Sequence, residues 1–552
     1  MASPLPAEDR NRWTVLVVLC VSLLLVAIDA TVLHVAVPAV TEDLRPGAVE
    51  LLWIVDVYPL VCASLLILFG TLGDRIGRRR VLLIGYATFG LASALAAYAG
   101  TPAVLVLARA LLGVGGAMIM PATLSILRQV FPDRRERALA IGIWSAVAAV
   151  GAAIGPLVGG VLLEHFWWGS VFLINIPLMV LCLPVARWLL PESTGEREGP
   201  WDVTGALLAA GGLFTVIMAL KRAGGGELYS PLTLLAAVTG GLLLFLFVRR
   251  QRGQRHPLID LRAFARPAFG TSVGCIVLTV LALVGLALIA AQYLQLVLGL
   301  SPLQTGLRLL PLSLAAIAAG LVGARLLHRL GPRLMVSLGF VLTAVAVLVL
   351  MSLGEQDRPA LMATGFVLLG FGLETTLFAS YESMLSDAPA GEAGGAAAIG
   401  ETAYQFGAGL GIALLGSIMN AVYGPAVRGA QGVGTEESAA AAHSLGEAYS
   451  VATQLGGGPG LALRQTARDA YVHGMHMTLI ASAVLLLLGA LAALRLPRDL
   501  ATAPAAEAWP AGGERTGAGS GAAPVPGPRA AEPGPRRAPE EPPLLPSGVT
   551  RP

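Results

Sequence analysis

Three ionisable side chains interrupt apolar runs in the first half of the chain: Asp29, Asp56 and Arg109. Measured from the ends of their runs away from the Arg-rich turns, Asp29 lies ~13 Å deep and Asp56 and Arg109 ~10 Å deep, at 1.5 Å per residue. One layer therefore holds two acids and a base. A lone charge in hydrocarbon costs ~2.5–3.5 kcal/mol or more, so such groups face the protein interior and find partners. Coupling of Arg109 with Asp29 is expected. Burial opposes the charged carboxylate and a neighbouring Arg favours it. That opposition suits proton coupling, because the carboxyl can hold a proton in one state and release it in another. A fixed pair that only sets packing is the rival reading.

Asp56 stands between Trp53 and Tyr58. A carboxylate among aromatic rings suits a lipophilic cation, through charge attraction and cation–π contact. The same rings would also serve as interfacial anchors. Further along, Glu374 falls near the middle of an apolar run. Glu382 lies eight residues on, on roughly the same helix face, and Glu401 lies about two turns into the next run. Glu374 and Glu401 are candidate substrate-binding acids, with Glu382 a weaker one. His34 is a further candidate proton group, with a satisfied interior His as its rival.

The elements that position these groups are apolar stretches long enough to cross a bilayer. They run over about 13–38, 49–72, 81–99, 102–128, 137–163, 169–190, 203–221, 231–249, 267–297, 303–327, 334–353, 359–385, 395–423 and 472–495. Fourteen spans of roughly 21 residues consume about 294 residues, close to the 55% of the 552-residue chain that is hydrophobic. Only 13% is charged, against about 25% for a soluble domain. Composition therefore excludes a soluble enzyme, a nucleic-acid binder and a secreted scaffold. Cys20, Cys62, Cys182 and Cys275 all lie in apolar runs without metal-ligand spacing and are expected to be inert.

The net charge is only +3, and its placement is more informative. Arg75, Arg78, Arg79 and Arg80 load the 2–3 turn, and Arg134, Arg135 and Arg137 the 4–5 turn. Arg249 to Arg266 load the 8–9 turn, and Arg329 and Arg333 the 10–11 turn. The 3–4 and 5–6 turns carry no Arg. Positive charge stays in the cytoplasm, so both termini are expected inside. Outside the bundle, residues 424–471 are expected to form an external loop with one or two short helices. From 498 to 552 the chain has the composition of a disordered cytoplasmic tail.

Two local patterns add function. The string Gly70-Thr71-Leu72-Gly73-Asp74-Arg75-Ile76-Gly77-Arg78-Arg79-Arg80 places small residues where another helix can approach. Asp74 can cap a neighbouring helix or pair with Arg, and Gly77 permits a reversal. This reads as a breakable latch, whereas a plain anchor would need only the Arg residues. Its core returns 254 residues later as Arg329-Leu330-Gly331-Pro332-Arg333, an internal repeat expected of a duplicated bundle. In the fifth span Gly151, Gly155 and Gly159 recur every four residues beside Pro156 and Gly160. They make a smooth face on which two halves are expected to rock.

The latch string resembles the signature loop of the major facilitator superfamily. Asp29-Ala30-Thr31-Val32-Leu33-His34-Val35-Ala36-Val37-Pro38 is similar to the first-helix motif of its fourteen-span drug:proton antiporters. Arg109 with Gly113, Gly115 and Gly116 resembles the family's proton-linked arginine motif, and residues 151–160 its antiporter motif. Leu52 to Tyr58 and Ala396 to Glu401 resemble segments of QacA-type quaternary-ammonium exporters. The pattern is departed from at His34, where Asn is usual, and at Leu112, where Gln is usual.

The resemblance implies an all-α, polytopic fold. Two six-helix bundles (13–190 and 267–495) would be joined by an inserted helix pair (203–249), with residues 1–12 a cytoplasmic N-terminus. It implies a monomeric, multi-pass antiporter in the cell (inner or plasma) membrane. Its partners would be protons, small drug-like molecules and the lipid bilayer. Export of a neutral or anionic host-made compound is the alternative. No Walker, HExxH, GxSxG or calcium-loop motif is present, so neither an enzyme nor a cofactor or metal is expected.

Overall fold

The computed structural model describes residues 12–46, 48–192, 201–223, 227, 229–254, 257–259, 261–300, 302–388, 393–430, 433–442 and 444–498. The chain divides into two units, Met1–Glu507 and Ala508–Pro552, and the second lies wholly outside the described residues. The expected cytoplasmic N-terminus (before Arg12) and tail (beyond Arg498) also lie outside them.

The described chain is helical. It runs α1 (Arg12–Leu44), α2 (Ala48–Ile76), α3 (Arg78–Ala97), α4 (Pro102–Val130), α5 (Arg134–His165), α6 (Ser170–Leu173), α7 (Asn175–Leu189), α8 (Val203–Arg222) and α9 (Pro231–Gly253). It continues with α10 (Pro267–Gln292), a π-turn at Tyr293–Val297, α11 (Pro302–Leu350), α12 (Pro359–Asp387), α13 (Ala393–Arg428), α14 (Thr435–Ala441), α15 (Leu445–Leu455) and α16 (Gly457–Ala493). Boundaries follow local chemistry. Prolines open α4, α9, α10 and α12, where the missing N–H costs nothing. Asp133 caps α5 by accepting from the backbone N–H of Arg135 at 2.9 Å and Glu136 at 3.0 Å.

Among the described residues, twelve helical stretches are long and apolar enough to cross a membrane, not the fourteen expected. Two features account for the difference. The stretch Gln304–Leu350 covers two expected spans. A straight helix of its 47 residues would measure ~70 Å, over twice the ~30 Å hydrocarbon core. The backbone breaks within it at Gly331 (φ 72°, ψ 166°). The second feature is α5, which is not among the twelve although it runs for 32 residues.

Gly331 is the repeat partner of Gly77, which also breaks the chain at positive φ (112°). The echo in sequence is thus an echo in backbone: each copy ends one helix and starts the next on a conformation that favours glycine.

Two sets of helices pack internally. In the first, α1 lies on α5 and α4 lies between α2 and α3, with α7 against α3. In the second, α11 lies on α12 and α16, and α13 on α10 and α16. The sets meet along α5 against α11 and along α2 and α4 against α13. The α8–α9 hairpin packs through α8 on both α2 and α13. Large apolar side chains such as Leu91, Val180, Leu235, Val238 and Phe245 stay exposed on the flanks, as expected of a surface solvated by lipid. The loop expected at 424–471 is largely helical, since α13 extends to Arg428 and α16 begins at Gly457, with α14 and α15 between them.

Candidate functional site

Asp29 and Arg109 meet inside the first set. Arg109 Nη1 donates to Asp29 Oδ2 at 2.9 Å, and its Nε donates to the Ile54 carbonyl oxygen at 3.3 Å. The side chains are 0% and 1% exposed, for Asp29 and Arg109 respectively. The Tyr58 ring lies beneath the guanidinium, 4.5 Å from centroid to Cζ, and Phe172 lies at 5.9 Å. Asn175 Nδ2 donates to the other Asp29 oxygen at 3.0 Å and lies 3.2 Å from Ser93 Oγ. Sequence reasoning missed Asn175. Its signal was available, because it is the one amide in the run at 169–190, whose only other strongly polar side chains, Ser170 and Arg187, lie near the two ends.

Asp56 does not join this pair, which corrects the expectation of two acids on one base. Ile54 faces Arg109, and two residues further α2 has turned by about 200°. Asp56 Oδ1 instead takes Lys221 Nζ of α8. Trp53 is half-buried, whereas Tyr58 is buried on Arg109 rather than beside Asp56. The two rings therefore do not flank one carboxylate.

Glu374 and Glu401 lie in the second set, close to where it meets the first. Ser145 Oγ of α5 donates to Glu374 Oε1. Tyr381 Oη donates to Glu401 Oε1 at 3.0 Å. Trp144 stands edge-on to Tyr381, 6.4 Å between centroids, and Tyr404 lies within electrostatic reach of both carboxylates. Both carboxylates are buried, and among the described residues neither has an ion-pair partner. Trp144 Nε1 and Thr402 Oγ1 in the same neighbourhood are buried without a hydrogen-bond partner. The shell thus offers negative charge, aromatic faces and spare hydrogen-bonding capacity. Sequence reasoning singled out the two acids but not Trp144, Tyr381 or Tyr404, whose faces only the packing reveals.

The Arg-rich end ties the two sets together. Asp74 is fully buried. Its Oδ1 accepts from Gly394 N at 3.0 Å and its Oδ2 from Gly395 N at 2.9 Å, in the first turn of α13. Those N–H groups have no partner inside their own helix, and the helix dipole favours an anion there. Arg78 donates to the same Asp74 oxygen, Nε at 3.1 Å and Nη2 at 3.0 Å. Gly70 lets α2 close on α13, since a Cβ there would lie 2.7 Å from the Gly394 carbonyl oxygen. Gly73 sits under Val81 of α3. Arg79 turns the other way, donating to the Leu190 carbonyl oxygen at 3.1 Å and pairing with Glu192. Arg75 is half-buried at the end of α2.

Three more contacts cross at this end. Arg137 Nη2 donates to Glu382 Oε1 at 3.1 Å, Arg135 meets His328 at 2.9 Å, and Arg128 donates to the Ala388 carbonyl oxygen. Glu382 is therefore an ion-pair partner of Arg137 rather than a cavity acid.

The glycine face of α5 does not lie between the sets. A Cβ at Gly151 would lie 2.7 Å from Ala27 Cβ, one at Gly155 would overlap Thr31, and one at Gly159 would lie 2.9 Å from Val32 Cγ2. All three partners are on α1, so the face packs within the first set. Gly160 has open space around it. The close approach between sets is instead at Gly142 of α5 and Gly320 of α11: a Cβ at Gly320 would lie 2.7 Å from the Gly142 carbonyl oxygen. The side chains of Pro156 and His34 lie outside the described positions.

The four cysteines are free and buried, and the described residues contain no group of three or more potential metal ligands.

Residues 19–412 match the profile of the Major Facilitator Superfamily. The chain belongs to that superfamily. It is 41% identical over 488 residues to the multidrug efflux pump LfrA of Mycolicibacterium smegmatis, covering 88% of this chain and 97% of that one. It is 39% identical over 482 residues to the methyl viologen resistance protein SmvA of Salmonella typhimurium, covering 87% and 97%. Among solved structures, the human organic anion transporter MFSD10 (TETRAN) superposes with a TM-score of 0.58 at 15% identity, covering 88% of this chain and 100% of that one. That likeness shows a shared facilitator fold. Membership of the superfamily and the apolar helices together make this a multi-pass membrane protein.

Proposed function

We propose that this facilitator exports lipophilic cations in exchange for inward protons, as a fourteen-span antiporter of the cytoplasmic membrane with both termini inside. Counting α11 as two spans rather than one, and adding α5, brings the twelve to fourteen. The observation that carries the reading is the state of Glu374 and Glu401: buried, among Trp144, Tyr381 and Tyr404, and with no basic partner among the described residues. Buried carboxylates without a cation are costly unless protonated or occupied. A lipophilic cation and a proton are the two species that relieve them, and competition between the two gives exchange. The name of the 41%-identical relative, a multidrug efflux pump, accords with export, and that of the 39%-identical one, a methyl viologen resistance protein, with a cationic cargo.

In this reading the conformer is closed at its cytoplasmic, Arg-rich end by Asp74 on α13, by Arg137 with Glu382, and by the Gly142–Gly320 approach. Asp29 and Arg109 couple protons. Protonation of Asp29 would neutralise the pair and free Arg109 to shift, which alternating access could use. Ethidium efflux from cells, with and without a protonophore, tests the proposal. Export that continues after the proton gradient collapses overturns it.

A further inference from the structure

Lys221 is the only lysine in the chain; every other Lys/Arg-type cation is Arg. It sits one residue from the end of α8, which packs on both α2 and α13. Leu220 and Ile217 beside it lie against Gly409 of α13. The ammonium is thus carried to the seam between the two helix sets by the inserted hairpin.

There it contacts Asp56 Oδ1. The Lys221 and Asp56 side chains are 22% and 30% exposed, unlike the sealed Asp29–Arg109 pair. Pairs reached by water contribute only ~0–1 kcal/mol, so this one is exchangeable. The residue type matters as well. An Arg would grip the carboxylate with a planar fork, whereas Lys offers one compact charge on a flexible stem.

We propose that Lys221 is a tethered stand-in for the cargo: its ammonium occupies the Asp56 carboxylate until an arriving lipophilic cation displaces it. The proposal rests on the export of lipophilic cations proposed above and adds Asp56 to their path. It makes the inserted hairpin a determinant of charge selectivity. A cation must out-compete an ammonium already in place, a dication does so more readily than a monocation, and a neutral molecule does not enter the contest.

The test uses the full-length protein in proteoliposomes, with binding of ethidium and of a neutral aromatic dye of similar size followed by fluorescence. K221Q is expected to tighten ethidium binding about three- to fivefold, the upper part of what such a pair can contribute, and to leave the neutral dye unchanged. K221R is expected to bind ethidium no better than the wild type. The gain should vanish in D56N/K221Q measured against D56N. An equal shift for both probes, no shift, or a gain that survives without Asp56 overturns the proposal. K221M serves as a second neutral replacement, and failure of both variants to insert would mark Lys221 as a structural pin and overturn it too. If the wild type exports ethidium against a proton gradient and K221Q is indifferent, only this inference fails. If the wild type moves no cation, the functional reading falls with it.

Discussion

Arg109 holds Asp29 at 2.9 Å in a pocket that solvent does not reach, and Asn175 occupies the other carboxylate oxygen at 3.0 Å. The carboxylate is thus bound from α4 and α7 at once, and any proton that reaches it must do so in a conformer that loosens one of those contacts. Asp29→Asn keeps the shape but leaves the Arg109 charge uncompensated. Removing one partner of a buried pair costs ~3–5 kcal/mol. D29N is therefore expected to insert in the membrane, to unfold at lower temperature, and to lose drug-driven proton release. D29N/R109Q should regain thermal stability without regaining transport. Counterflow in proteoliposomes and thermal unfolding in detergent read the two effects separately. Undiminished proton release from D29N would remove Asp29 from the coupling.

Asp74 places its charge on the first turn of α13 and on Arg78 together. An anion at a helix N-terminus contributes ~0.3–1 kcal/mol, up to ~2 kcal/mol when partly buried. Asp74→Asn should therefore shift the conformational balance several-fold toward opening at the Arg-rich end. A cysteine at buried Ala396, in a background without the four native cysteines, reports on that opening. Maleimide labelling from that side is expected to quicken in D74N. An unchanged rate would show that the contact does not latch the closed state.

Gly142 and Gly320 bring the α5 and α11 backbones together. Any side chain at 142 must displace the Gly320 carbonyl, which belongs to helix backbone and cannot swing aside. Gly142→Val is expected to insert normally, bind cargo and transport at less than a tenth of the wild-type rate, a barrier change of about 1.4 kcal/mol or more. Gly160→Ala is the control, because the space around Gly160 is open, and should transport normally. Uptake into inside-out vesicles compares the two. Normal transport by G142V would mean that the contact does not limit the cycle.

What was legible in the sequence were charges in the wrong solvent. Asp29 and Arg109 stood out because hydrocarbon penalises them, and their similar depth allowed the pairing but did not set Asp29 apart from Asp56, which lies at the depth of Arg109 and pairs with Lys221 instead. Asp74 stood out because an anchor needs no Gly/Asp order. Partners on distant helices leave no such local mark. Lys221 was visible as the sole lysine, yet nothing in its spacing from Asp56 says that α8 docks on α2. The α5 glycine stripe was read correctly as a smooth face and assigned to the wrong neighbour, since smoothness does not say which helix fills it. Gly142 and Gly320, single glycines in glycine-rich helices, carried no period at all. The helix count shows the same limit, because a break at Gly331 and an unbroken run of helix look alike until the backbone turns there.

Glu374 and Glu401 separate charge recognition from plain hydrophobic binding. Glu374→Gln keeps an acceptor for the Ser145 hydroxyl, and Glu401→Gln keeps one for Tyr381, so each change removes charge with little change of shape. For a dicationic probe each variant is expected to raise KM at least tenfold, about 1.4 kcal/mol. For a monocation the rise should be smaller, because one remaining carboxylate can still balance one charge. A neutral dye should bind as before or slightly better, since burying an amide costs less than burying a carboxylate. The order of the three probes is the diagnostic, measured as efflux in proteoliposomes at one fixed pH gradient. If the dication and the neutral dye respond alike, the two carboxylates do not read the charge of the cargo. The aromatic shell of Trp144, Tyr381 and Tyr404 would then bind by apolar contact alone.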